Sequence, residues 1–153
     1  MIKKPQSAVL ALITVICGFY LYQLIDSGIV GTFALYRWDY FSSTHEYYRL
    51  FTVALTHGGF LHLGFNMYSL MVLGNPLEDA FGKQKLLTVF FFSLLTGSLT
   101  SAYFAPIYGA SVGASGAIFG LFGALAIVGK GIGADIRSIV VIIGINFAFG
   151  FAM

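Results

Sequence analysis

Charge is what this chain has least of. Lys, Arg, Asp and Glu make up 9% of its 153 residues, against 58% hydrophobic and 17% aromatic, too few to clothe a water-exposed surface at the usual density. The composition is that of an integral membrane protein. The surplus of positive charge is equally slight, and a net +2 gives no basic footprint for a nucleic acid, so no such partner is expected. Cysteine occurs once, as Cys17 in an apolar run; it can form no intramolecular disulfide, and packing is its default role. No internal repeat or low-complexity segment is evident. The length leaves room for one multi-span domain, residues 1–153, and none for a second folded module.

The few charges divide the apolar sequence. A span takes roughly 20 mostly apolar residues, and five candidates emerge: Ala8 to Ile25, Phe60 to Gly74, Leu86 to Phe104, Ser115 to Gly129 and Ile136 to Met153. The second and fourth are short, and are expected to extend at one end or to line protein rather than lipid. The first follows Lys3 and Lys4 without a small-residue cleavage site, which makes it a retained helix rather than a signal peptide. Lys3, Lys4, Lys83, Lys85, Lys130 and Arg137 fall on one side of these spans, and only Arg37 and Arg49 on the other. That asymmetry predicts a cytoplasmic N-terminus and puts Ser115 at a helix start on the outer side. A bacterial inner membrane fits so compact a chain.

The first loop, Asp26 to Thr56, carries Phe33, Tyr36, Trp38, Tyr40, Phe41, Tyr47, Tyr48 and Phe51 among a few charges. Amphipathic rings settle at headgroup depth, so this loop is expected to lie in the membrane edge. Glu46 and Arg49, three apart, can pair across one helical turn, either as a solvated interfacial pair or as part of a site.

Three side chains are out of keeping with an apolar span. His62 and Asn66 are four apart, which stacks them on one helical face. An amide or imidazole without a partner in an apolar medium costs roughly 2–7 kcal/mol, so both should face a polar pocket or another helix. His57 is five residues before His62, which on one helix would turn the two to different faces. With no cysteine or carboxylate placed to complete a coordination shell, no metal is expected.

The segment Gly113-Ala114-Ser115-Gly116 sets one hydroxyl between glycines at the head of an apolar run. Gly116 and Gly120, four apart, would let another helix approach closely, which explains the glycines by packing. The alternative is chemical. Flanking glycines let a backbone approach Ser115, and a helix N-terminus aims unsatisfied N–H groups at a developing negative charge. The four residues alone leave both explanations open.

The combination resembles a family. His62-Leu63-Gly64-Phe65-Asn66, followed some fifty residues later by Gly113-Ala114-Ser115-Gly116, is similar to the rhomboid intramembrane serine proteases, and Glu46-Tyr47-Tyr48-Arg49 resembles their first-loop Glu-x-x-Arg. The resemblance covers nearly the whole chain. It implies an all-α, polytopic six-helix bundle with a water-filled cavity opening outward. Ser115 would be the nucleophile, and His62, Asn66 and the Ser115 backbone N–H would stabilise the oxyanion. His57 would lie near the helix entrance, Gly113 and Gly116 would support the serine, and Phe119 would take the place of an aromatic, usually Tyr, that packs on the catalytic histidine. No cofactor is implied, and the substrates would be transmembrane segments of other membrane proteins in the lipid bilayer.

One part of the family pattern is missing. Serine needs a base within hydrogen-bond reach, which rhomboids supply as a histidine on a sixth helix, and this sequence has no histidine after His62. Its last residues, Asn146 to Met153, resemble the end of the family's fifth helix. The expectation is a C-terminally incomplete rhomboid with five of six helices, whose chain alone is inactive. The alternative is a pseudoprotease or membrane adaptor that binds clients without cutting them. A small transporter or channel would also use intramembrane polar groups, but no buried acidic residue is present to couple ions.

Overall fold

The computed structural model describes residues 7–104 and 109–133, together with Arg137, Val140, Val141 and Gly144. Apart from those four, the expected fifth span, Ile136 to Met153, lies outside the described residues, as do Lys3 and Lys4. The first long helix, α1, is Ala8–Ile25; the first loop then folds into three short helices, α2 (Gly28–Phe33), α3 (Trp38–Thr44) and α4 (Arg49–Thr52), and a 3-10 turn at Val53–Leu55. Two 22-residue helices follow, α5 (Phe60–Phe81) and α6 (Lys83–Phe104). α7 (Ser115–Val128) continues into a 3-10 turn at Gly129–Ile132. The architecture is a helical bundle.

Among the described residues three segments are both long and apolar enough to cross a membrane: Ala8–Ile25, Lys83–Phe104 and Ser115–Ile132. The expected second span is present as α5, but it runs seven residues past Gly74. Its length suffices, ~33 Å at 1.5 Å per residue; its polar content, from His62 and Asn66 to Glu78 and Asp79, lowers its apolarity.

Lipid tails are as apolar as leucine, so burial of apolar side chains does little to drive these helices together, and close packing must. Glycine provides it. A β-carbon on Gly74 of α5 would stand 2.7 Å from Val9 Cγ2 of α1. A β-carbon on Gly97 of α6 would stand 3.0 Å from Gly116 Cα of α7, and one on Gly120 would run into the Ser93 side chain. Gly116 and Gly120 thus do allow the close helix approach that their spacing suggests, and α6 is the partner. Around these contacts Leu70, Leu73, Phe90, Leu94, Leu121 and Leu125 are fully buried. Leu10, Ile25, Phe92 and Ile127 point outward, where a bilayer and not water is the compatible surrounding.

Polar bonds fix the two ends of α1. Glu78, near the end of α5, accepts from the N–H groups of Ala8 (2.7 Å) and Val9 (3.0 Å) and from Ser7 Oγ (2.8 Å). These are orphan donors of the first turn of α1, so the carboxylate caps one helix from another. Towards the other end of α1, the Gln23 amide forms a two-way pair with the backbone of His57: Nε2 donates to the carbonyl at 2.6 Å, and Oε1 accepts from the N–H at 3.1 Å.

Candidate active site

The serine segment is held in place by the first loop. Leu35 and Ser111 exchange backbone hydrogen bonds of 3.0 and 2.7 Å, an isolated antiparallel bridge, and Gly113 N–H donates to the Val53 carbonyl at 2.9 Å. The Ser111 hydroxyl lies 2.6 Å from that of Ser101 on α6. Gly113 has φ of +107°, a conformation that side chains disfavour, and the chain then turns directly into α7 at Ser115. No side chain caps that helix, so its first-turn N–H groups face the site. Ser115 lines a cavity of about 520 Å³ together with Ser93, Thr96, Gly97, Ser101 and Ser111. Phe119, one turn on, also lines it and is 42% exposed, leaving its ring free to face an occupant.

His62 reaches the serine segment from α5. A β-carbon on Gly113 would stand 2.9 Å from both Cε1 and Nε2 of the imidazole, so the ring fills the space that this glycine leaves. The other ring nitrogen, Nδ1, accepts from Gly58 N–H at 3.4 Å. A neutral imidazole that accepts at one nitrogen donates at the other, which assigns the proton to Nε2, the atom lying against Gly113. Asn66, one turn further and 1% exposed, donates from Nδ2 to the His62 carbonyl at 2.9 Å. An amide nitrogen carries two N–H groups, so one remains. His62 and Asn66 therefore share a helix face, as their spacing predicts.

His57 corrects an expectation. It does not turn away from His62, because it sits in the bend before α5 and not on that helix; the two rings meet edge to face at 5.2 Å between centroids. His57 is 1% exposed, also packs against Tyr20, has the Leu55 backbone beside its ring, and makes no hydrogen bond of standard length and angle at either ring nitrogen among the described residues. Asn66 Oδ1 is likewise buried without a partner. His57 Cδ2 lies 3.7 Å from where a β-carbon on Gly113 would stand, so this ring also borders the serine segment.

Glu46 and Arg49 pair as their spacing predicts, at 2.9 Å, but this is no solvated surface pair. Arg49 is 3% exposed, and its Nη1 donates to the carbonyls of Gly31 (2.9 Å) and Ala34 (2.8 Å), tying down the C-terminal end of α2. The Arg49 hydrogen bond holds the Glu46 carboxyl below its ordinary range. Arg49 also lies against the rings of Tyr36 and Tyr48. The pair thus braces the loop that carries Leu35 and so the bridge to Ser111. Sequence reasoning missed Gln23, Ser101 and Ser111. They belong to no local motif, and only the fold brings them to the site.

A serine at a helix start, an imidazole against its loop and a buried amide one turn along the same helix face as that imidazole thus stand in a helical membrane bundle. Residues 44–153 match the family model described as the rhomboid domain, and the chain belongs to the rhomboid family. It is 40% identical over 116 residues to Rhomboid protease GluP of Bacillus subtilis (strain 168), an overlap covering 71% of this chain and 22% of that protein. It is 44% identical over 78 residues to Putative rhomboid protease YdcA of the same organism, covering 51% of this chain and 39% of the relative. With Inactive RHOMBOID-like protein 8 of Arabidopsis thaliana it shares 33% identity over 88 residues, 58% of this chain and 25% of that protein. The chain thus spans well under half the length of these relatives, some of which are named as proteases and one as inactive.

Proposed function

We propose that Ser115 is the nucleophile of an intramembrane serine protease that hydrolyses peptide bonds in transmembrane segments of other membrane proteins. The carrying observation is the His62 ring seated on Gly113, two residues before the serine, with Nε2 against that glycine and Nδ1 accepting from Gly58 N–H. In this reading Ser115 Oγ adds to the scissile carbonyl carbon as its proton passes to a general base. The carbonyl oxygen becomes an oxyanion, which the Ser115 backbone N–H, the remaining Asn66 N–H and His62 Nε2–H stabilise. Collapse breaks the C–N bond, the amine leaves with a proton, and water then cleaves the ester and regenerates the serine. A nitrogen already protonated suits His62 to donating, and removing one such donor typically lowers the rate a hundred- to a thousandfold. The cavity beside Ser115, with its hydroxyl lining, suits water delivery, and the lysine distribution favours an outward-facing cavity with a cytoplasmic N-terminus.

A second reading, a rhomboid-like adaptor that holds membrane-protein clients without cutting them, is favoured by one feature: among the described residues the Ser115 hydroxyl has no imidazole partner. Cleavage of a reporter transmembrane helix, in membranes where the chain is extended by a histidine-bearing sixth rhomboid helix that supplies the base, separates the two. Cleavage that falls to background in Ser115→Ala supports the protease. Cleavage unaffected by Ser115→Ala overturns it. Stable client capture without cleavage, unchanged in Ser115→Ala, replaces it with the adaptor.

A further inference from the structure

The end of the bundle opposite Ser115 holds a second cavity, unused by the proposed reaction. Where α5 ends, α6 begins and α7 ends, a groove of about 210 Å³ opens, lined by Leu77, Phe81, Leu86, Val89, Ala124 and Ile127. One charged residue, Lys85, shares that lining, and its ammonium is held over the Phe81 ring at 5.7 Å from the centroid. Among the described residues Lys85 has no carboxylate in ion-pair range. Lys83, the first residue of α6, and Lys130, in the turn that continues α7, bring two further cations to the same end. Two acidic residues of α5, Glu78 and Asp79, stand at this end against the three lysines, and Glu78, whose oxygens are engaged on α1, also feels the charge of Lys83.

A helix is about 10 Å across with its side chains, too thick for a slot of this volume. A single hydrocarbon chain is not. An ammonium poised at the mouth of a narrow apolar slot asks for a ligand with an anion at one end and a tail at the other, and basic pockets between transmembrane helices bind phospholipid headgroups in this way. We infer that the groove is a binding site for one anionic phospholipid, its phosphodiester on Lys85, supported by Lys83 and Lys130, and one acyl chain between α5, α6 and α7. The site stabilises the bundle at the face opposite the serine and does not depend on catalysis.

The test is native mass spectrometry of the chain released from nanodiscs of equimolar phosphatidylglycerol and phosphatidylcholine with identical acyl chains. The expected result is one phosphatidylglycerol retained about fivefold or more over phosphatidylcholine, with the preference falling about fivefold in Lys85→Gln. Ala124→Phe fills the groove but keeps all three lysines, and is expected to release the lipid; circular dichroism checks that the helices remain. Equal retention of the two lipids, or no change in Lys85→Gln, overturns the site. Retention undiminished in a folded Ala124→Phe, or competition by free glycerol phosphate as strong as by lipid, removes the acyl chain from the groove and overturns it too. So does a cross-link from Val89→Cys to another part of this chain or to a second copy, since protein would then fill the slot.

Discussion

Two polar clusters sit at opposite ends of α5, and they are treated in opposite ways. At one end the Glu78 carboxylate accepts three hydrogen bonds from the start of α1. At the other, His57 and Asn66 are almost completely buried, yet three of their polar atoms make no hydrogen bond of standard length and angle among the described residues. Glu78 on α5 is thus saturated with contacts, while Asn66 on the same helix and His57 in the bend before it are left short of them. Saturated polar groups hold helices together, and unsaturated ones weaken the fold by about 1–3 kcal/mol each. A bundle retains the second kind when those groups have work to do on something else.

Asn66→Leu breaks this comparison most directly. It removes a buried amide whose Oδ1 has no partner among the described residues, at the loss of one hydrogen bond to the His62 carbonyl, in favour of a residue of similar size, so the melting temperature should change little, while cleavage of a transmembrane reporter falls a hundred- to a thousandfold. A loss of stability together with unchanged cleavage would make Asn66 a packing group like any other. At the saturated end the pattern should invert. Glu78→Ala strands the first-turn donors of α1 and should cost about 3 kcal/mol of stability, measured by unfolding in mixed detergent, with cleavage by the surviving folded fraction unchanged.

Gly113→Ala sharpens the comparison at the reactive end. The added methyl has to displace the His62 ring, and φ of +107° penalises it besides, for a cost of about 2 kcal/mol. Nitrogen-15 shifts of the His62 ring should move in this variant and stay put in Glu78→Ala. The smallest effect belongs to the brace in the first loop. Because Glu46 has a lowered pKa in the folded state, its pairing with Arg49 contributes fully above the ordinary carboxyl value of 4.5 and is lost as the pH falls below that, through the folded-state value. Proteolytic nicking of the loop between Ala34 and Thr52 should therefore rise at acid pH in the native chain, and should be high and independent of pH in Glu46→Gln.

What could be read from the sequence was whatever is local. His62 and Asn66 are one helical turn apart, and Ser115 has its glycines beside it, so spacing alone makes these groups recognisable. The four-residue glycine pair foretold a close helix contact, although not that Gly97 and Ser93 would meet it. The His57–His62 contact was missed because helical spacing was applied across a bend. The expected end of the second span at Gly74 was early because Asn75, Pro76 and Glu78 interrupt the apolar run, whereas in the fold Glu78 is drawn into capping α1 and the helix continues to Phe81. Contacts such as Leu35 with Ser111 or Gln23 with His57 join residues far apart in the chain, and no periodicity announces them.

The contact between Gly97 and Gly116 has one more meaning. Backbone meets backbone there, with no side chain between that could change rotamer, and Gly120 seats Ser93 one turn on. α6 and α7 therefore cannot hinge or slide past each other by small rearrangements and behave as a single two-ribbed plank with the serine mounted at its edge. Whatever has to give way for a bulky guest beside Ser115 must then be on the other side, where α5, the bend before it and the first loop meet the serine segment through two imidazole rings and three main-chain hydrogen bonds.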